Sequence, residues 1–164
     1  MAVDMFLKIE TIDGETVDKQ MKDKTAIDVL AWSWGVSQSG TTHMGGGGGA
    51  GKASFQDISV TKYVDSASHA LLLGCATGEH FTKATLTVRK AGTTQQPYIT
   101  ITMDEVIVSS VSTGGSGGED RLTENISLNF AKVKFEYFYQ DDKGVVSKTA
   151  KAFTYDIAAN SKEG

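Results

Sequence analysis

Five consecutive glycines at residues 45–49, followed by Ala50, Gly51 and Lys52, constrain this chain more than any other stretch. Glycine gives the backbone conformations closed to other residues, so such a run favours a long loop and ends any strand or helix that reaches it. The segments on both sides are rich in β-branched and aromatic residues, which is typical of strands. The run therefore joins two β-type segments, and it serves either phosphate binding or assembly.

The phosphate-binding interpretation rests on Gly46, Gly51 and Lys52, which nearly match the pattern G-x-x-x-x-G-K-[ST]. In that motif backbone N–H groups surround the phosphate, and the final hydroxyl binds magnesium. Here Ala53 stands where the hydroxyl is needed, and the residues that follow favour a strand instead of a helix. A nucleotide- or phosphate-binding enzyme using residues 46–52 is therefore kept only as the alternative function.

A second glycine block at residues 114–118 matches the G-x-S-x-G pattern of hydrolase nucleophiles. That pattern needs a helix directly behind the serine, whereas residues 122–139 favour a strand. His69, Cys75 and His80 bracket a short helix without sharing one face of it, which disfavours a zinc site. We therefore predict no enzyme activity, no catalytic residue, no metal site and no cofactor.

Composition limits the class of protein. The chain has 164 residues, of which 40% are hydrophobic, and no apolar run approaches the ~20 residues of a membrane span. The net charge is −4 and Arg89 and Arg121 are the only arginines, which disfavours nucleic-acid binding. Cys75 is the only cysteine, so no disulfide can form within the chain. The first residues do not resemble a signal peptide, so we expect synthesis in the cytoplasm, and any export needs a route without a cleaved signal.

The remaining pattern predicts an all-β fold with one short helix. Turn residues separate seven β-type stretches, at residues 3–9, 27–37, 54–64, 80–90, 98–111, 122–140 and 145–157. An apolar stretch at residues 66–77 predicts the helix, with Asp65 or Ser66 as its N-cap and Gly78 at its end. Apolar positions change phase inside residues 122–140, which indicates a bulge or bend near residues 131–132.

Long antiparallel strands must lose their exposed edges by closing or by packing face to face. We therefore predict one domain over residues 1–164, a closed antiparallel β-barrel with one flanking helix and an extended glycine-rich loop. A β-sandwich is the second choice. The chain also has more large rings than one core needs, and surplus apolar surface usually marks a protein interface. An assembly protein, a monomeric enzyme and a secreted adhesin-like β-domain are the functions to compare.

Several blocks of sequence, in order, resemble the haemolysin-coregulated protein (Hcp) family, the tube subunit of bacterial type VI secretion. They are residues 1–9, 27–35, His43 and Met44 with the glycine run, 61–65 and 111–125. The resemblance covers most of the chain and is weakest from Gln140 onward. It implies a β-barrel that assembles as a homo-hexamer, with rings stacking into a hollow tube, and secretion out of the cell.

The resemblance also implies partners and contact residues. A spike (valine-glycine repeat) protein caps the tube, a contractile sheath drives it into a target cell, and effector proteins are carried inside the ring. The glycine-rich loop implies these ring-stacking candidates: His43, Met44, Gly45, Gly46, Gly47, Gly48, Gly49 and Lys52. The second loop gives a separate set of candidates without an assigned contact: Gly114, Gly115, Ser116, Gly117, Gly118 and Glu119. Ser33, between Trp32 and Trp34, is the candidate for contact with effectors in the lumen.

Overall fold

The computed structural model describes residues 3–40, 51–90 and 95–163. Within them the chain is mostly β with one helix, and its elements are β1 Val3–Ile9, β2 Ile27–Asp28, β3 Ala31–Ser33, β4 Val36–Ser37, β5 Ser54–Phe55, β6 Ile58–Tyr63, α1 Ser68–Thr77, β7 His80–Lys90, β8 Pro97–Thr113, β9 Thr123–Gln140, β10 Val146–Asp156 and β11 Ser161–Glu163. A single 3₁₀ turn in the described ranges covers Lys22–Lys24. No helix in this part of the chain has the length and apolar character needed to cross a membrane.

The main sheet has nine strands in the order β11-β10-β9-β8-β7-β1-β2, and β6 pairs with both β9 and β3. All of these pairings are antiparallel. The predicted closed β-barrel is wrong. Among the described residues no pairing joins β2 to β3 or to β6, so the sheet stays open.

β9 divides its length between two neighbours, so the sheet branches. On the side away from β8, β6 pairs with β9 up to Leu128, and β10 pairs with it from Lys132 onward. The sheet therefore splits into two branches at this point. The predicted change of phase lies here too, since Phe130 and Val133 are both buried. Glu105 on β8 takes a left-handed backbone at φ 55° beside the bend.

Residues 27–37 do not form the single strand that was predicted. They contain the three short strands β2, β3 and β4, of which β2 pairs with β1 and β3 with β6. The change of partner occurs between them, where the Val29 N–H donates to the Met5 carbonyl at 3.0 Å and the Leu30 N–H donates to the Thr61 carbonyl at 2.8 Å. Both faces look apolar in sequence because the segment leaves one strand and joins another.

The core lies on one side of the sheet and α1 covers part of it. Leu71 of α1 is fully buried in the same cluster as Val108 and Leu128, and burying such a leucine contributes about 1.5–3 kcal/mol. The helix begins at Ser68, two residues later than predicted, and its N-cap is Ala67 instead of Asp65 or Ser66. It ends as predicted at Gly78, which has φ 67°. On the other side of the sheet, Phe6 of β1 is buried with Met21 and Ala26 of the segment between β1 and β2. The part formed by β3, β6, β9 and β8 is open to solvent on that side, and it carries the candidate site.

Candidate functional site

The solvent-facing side of β3, β6, β9 and β8 carries a row of four serines. Ser33 lies opposite Ser59, Ser59 opposite Ser127, and Ser127 opposite Ser110, each on the neighbouring strand. Residues directly opposite each other in antiparallel strands project from the same face of the sheet. Ser33, Ser59 and Ser110 are exposed and Ser127 is half-buried. We name these four residues the serine row.

A second row lies two residues further along the same strands, and it comprises Ala31, Thr61, Asn125 and Ser112. The Thr61 hydroxyl donates to the Asn125 side-chain oxygen at 2.7 Å. Neither row contains a charged side chain. At the border, the Asp57 carboxylate accepts hydrogen bonds from Ser109 at 2.6 Å and from Asn129 at 2.8 Å. We name the two rows together the polar face.

Two tryptophans fix the position of Ser33 at the end of the serine row. The Trp34 indole N–H donates to the Gln56 carbonyl at 3.0 Å, and Trp32 packs against the core. The Trp34 ring also stacks, at centroid distances of 6.1, 6.5 and 6.4 Å, on Phe55, Phe135 and Phe153. Aromatic pairs of this kind contribute about 0.5–1.5 kcal/mol each beyond the area they bury. Ser33 is therefore held between two anchored rings with its own side chain exposed.

A buried ionic cluster lies behind the polar face and beneath the start of α1. Lys62 and Glu124 are directly opposite on β6 and β9, and both side chains are fully buried. The Lys62 ammonium donates to a Glu124 oxygen and, at 2.8 Å each, to Asp65 and to the Tyr63 carbonyl. The Ser68 hydroxyl donates to the same Glu124 oxygen at 2.6 Å. The cluster joins α1 to the two central strands of the polar face.

Sequence reasoning missed this cluster, although the strand pattern carries a signal for it. Lys62 follows Ile58 and Val60 in the buried phase of β6. Glu124 precedes Ile126 in the buried phase of β9. Opposite charges at inward positions of two strands predict a buried pair once those strands are known to be neighbours.

A second ionic cluster attaches the segment after β1 to the sheet. Arg89 of β7 is almost fully buried, donates to Asp18, to Asp4 at 3.5 Å and to Gln20 at 3.1 Å, and stacks over the Phe6 ring. Its hydrogen bond to Asp18 holds the pKa of that carboxyl below its ordinary value. Burial acts to lower the pKa of Arg89, but the bonds and charges of Asp18 and Asp4 raise it above its ordinary value.

The predicted loop residues have different outcomes. His43, Met44 and the five glycines of the first loop lie outside the described residues. Lys52 is exposed and leads into β5 and β6, so strands follow it where a phosphate-binding loop needs a helix. The second loop, residues 114–119, is fully exposed and is followed by β9 instead of a helix. It begins two residues after Ser112, so it borders the polar face.

The ligands considered for zinc do not come together in the structure. His69 and His80 are exposed, Cys75 is half-buried in α1, and the described ranges contain no group of three His, Cys, Asp or Glu side chains arranged to hold a metal ion. The candidate site is therefore the polar face. Its two rows carry no charge, and the charged residues Lys62 and Glu124 of the same strands are buried on the other side of the sheet.

Comparisons with known proteins identify the family. Residues 6–137 match the family described as type VI secretion system effector, Hcp. The chain is 54% identical over 161 residues to protein Hcp1 of Pseudomonas aeruginosa, with 98% of each chain covered. Among solved structures, a type six secretion system protein is similar with TM-score 0.91 and 29% identity, and Hcp1 of Salmonella typhimurium with TM-score 0.79 and 38% identity. Each alignment covers 99% of this chain and 100% of the other. The chain therefore belongs to the Hcp family of secreted type VI secretion proteins.

Proposed function

We propose that this chain, as one domain over residues 1–164, is the tube subunit of a type VI secretion system and acts without catalysis. Six copies close into a ring, and rings stack into a hollow tube. A spike protein caps the tube, contraction of an outer sheath expels it, and effector proteins travel in the lumen. Family membership and the 54% identity to Hcp1 of Pseudomonas aeruginosa support this function.

The observation that carries the proposal is the polar face. The wall of a conduit must admit folded proteins without holding them, and apolar patches or concentrated charge would retain cargo. The serine row and its neighbouring row present small hydroxyl and amide groups, which exchange hydrogen bonds with water readily. We propose that this face lines the lumen and that Ser33 contacts effectors there. The helix α1 packs on the opposite, core-facing side, and so belongs to the outer flank of the ring.

The two glycine loops are the proposed contacts between rings. The first loop includes Lys52, and the second covers residues 114–119, which are exposed. A glycine-rich segment loses much backbone entropy when it becomes ordered against a neighbour. Stacking is therefore expected to be weaker than ring closure, so that dilution separates stacked rings before it breaks individual rings.

Site-specific labelling tests which face lines the lumen. In a Cys75→Ala background, Ser59→Cys places a thiol in the serine row, and Ala76→Cys places a matched thiol on the exposed side of α1. Rings seen by electron microscopy are treated with a small maleimide and with a maleimide on a polymer wider than the central opening. We expect the small reagent to label both variants and the bulky reagent to label only Ala76→Cys.

The same experiment separates the two parts of the proposal. Equal labelling of both variants by the bulky reagent, in preparations that contain rings, places the polar face outside the lumen and overturns that assignment. Solitary compact particles at every protein concentration, with no central opening in the images, overturn the tube function itself.

A further inference from the structure

The strand order of the main sheet leaves one long edge open at its β10 end. β10 pairs with β9 on one side, whereas on the other side β11 covers only its last three residues. Among the described residues no strand pairs with the outer edge of β10 at residues 146–153. An open edge of this kind binds another chain or is protected by charged side chains, most often lysines.

Lysines supply the charge at this edge. Lys143, Lys148 and Lys151 are exposed, and none of them forms an ion pair with another described residue. Asp141 is nearby, but its carboxylate accepts the N–H groups of the β9–β10 turn at 2.9 Å. A surface cavity of about 310 Å³ lies between Lys143 and Lys148. We name the three lysines the basic edge.

The other end of the strand order is acidic. A cavity of about 340 Å³ beside β1 and β2 is lined in part by Asp4, Asp18 and Asp28. Asp4 and Asp18 share Arg89, whereas Asp28 is exposed and has no ion-pair partner among the described residues. Three carboxylates thus face one guanidinium, and the cavity keeps an excess of negative charge. We name the three aspartates the acidic recess.

Exposed apolar side chains lie at both places. Val17, which lines the acidic recess, is 91% exposed, and Val3 beside it is 38% exposed. Val145, which lines the cavity of the basic edge, is 61% exposed, and Tyr139 near the end of β9 is 54% exposed. Apolar groups surrounded by charge are typical of surfaces that are covered by another protein.

The two patches lie at the same end of the strands but at opposite edges of the sheet. Asp4 pairs with Arg89 across β1 and β7, and Arg89 pairs with the start of β8. The next residue, Lys90, donates to Gln140 at 2.8 Å, and Gln140 pairs with Val146 at the start of β10. A ring generated by rotation alone needs two different, complementary patches at one height. The acidic recess and the basic edge meet that requirement.

We propose that the basic edge of one copy binds the acidic recess of the next copy, and that this head-to-tail contact closes the ring. The proposal rests on the ring assembly proposed above and specifies which surfaces meet. Val17 and Val145 become buried at the contact, and the lysines at its rim pair with the aspartates. Charge pairs at a rim act on association rate and specificity, so ring closure weakens as salt is added.

Charge reversal on each patch gives a decisive test. The first variant, Lys148→Glu with Lys151→Glu, makes both ends of the sheet acidic. The second variant, Asp28→Lys with Glu15→Lys, adds positive charge at the acidic recess and leaves Arg89 and its partners unchanged. Glu15 is exposed and directly precedes Thr16 and Val17, which line that recess. We expect the concentration for half-maximal ring assembly to rise about tenfold or more for each variant alone. An equimolar mixture is expected to form rings again, with equal numbers of the two variants in native mass spectrometry.

Two control variants and the wild-type chain make every outcome decisive. Glu79→Lys and Lys83→Glu reverse exposed charges away from both patches, and each is expected to assemble as the wild type does. Circular dichroism establishes that all variants are folded. Normal assembly of either double variant, or a mixture that stays monomeric, overturns the proposed contact even though the wild type forms rings. A wild type that never forms rings overturns the tube function instead.

Discussion

Replacing Lys62 with methionine tests whether the buried cluster beneath α1 acts as an ionic unit. The Lys62 and Glu124 side chains are 0% exposed and Asp65 is 6% exposed. Without the ammonium, two carboxylates stay in a site closed to water, and breaking such a pair costs about 3–5 kcal/mol of folding free energy. At about 2–4 °C per kcal/mol for a chain of this size, Tm is expected to fall by roughly 6–20 °C.

The assay is urea unfolding followed by the fluorescence of Trp32 and Trp34. Protein concentration is held constant, because assembly stabilises the folded state by mass action. The matched control is Lys134→Met, which removes a lysine that is 49% exposed and lies 3.8 Å from Glu136. Exposed pairs of this kind contribute about 0–1 kcal/mol, so the control is expected to change little.

A double-mutant cycle then isolates the interaction between the two charges. Glu124→Leu alone leaves Lys62 with Asp65 as its one remaining carboxylate partner in the described structure. Combining it with Lys62→Met replaces the buried pair with apolar side chains, and such replacements are often close to neutral. We expect the double variant to lose about 1–3 kcal/mol less than the sum of the single losses. Additive losses, or a Lys62→Met variant as stable as Lys134→Met, would refute the reasoning.

Three further predictions concern acid, packing and salt. Because the pKa of Asp18 is lowered from 3.8 on folding, its contribution to the free energy of unfolding is present at neutral pH and is lost as the pH falls below about 4. Asp18→Asn should therefore reduce the loss of stability in acid, measured by urea unfolding at several pH values. Gly14→Ala places a Cβ 2.4 Å from the Ala26 carbonyl and should cost about 1–3 kcal/mol by thermal melting, whereas Gly117→Ala meets open space and should be neutral. Because each copy carries −4, added salt should strengthen ring stacking in sedimentation, and salt-independent stacking contradicts this.

Local pattern was enough to predict the helix and the bend in β9. Helix termination at Gly78 follows from the left-handed backbone that glycine adopts readily, and the bend follows from the change of phase between Phe130 and Val133. The shape of the sheet could not be obtained in this way. Closure depends on which strands become neighbours, here whether β2 pairs with β3 or β6, and alternation within one strand gives a face without naming a neighbour.

The polar face could not be predicted from the sequence either. Ser59, Ser110 and Ser127 are ordinary outward residues in their own strands, and only the register of β3, β6, β9 and β8 aligns them with Ser33. The family resemblance pointed to Ser33 alone. The opposite charges of the two edges also depend on strand order. Lys148 and Asp28 are far apart in sequence, and only the order of the strands places them at opposite edges of one sheet.

The two faces of the β6–β9 pair are linked by strand alternation. Lys62 and Glu124 point inward, and their sequence neighbours Thr61 and Asn125 point outward, so a slip of one residue would turn the charges onto the polar face. Ile58, Val60, Ile126 and Leu128 alternate with outward residues, and we expect their burial alone to prevent that slip. We therefore expect a Ser59→Cys thiol to label normally when Lys62→Met and Glu124→Leu are combined. Reduced labelling in that background would show instead that the ionic cluster is needed to fix the register, and with it the neutral surface.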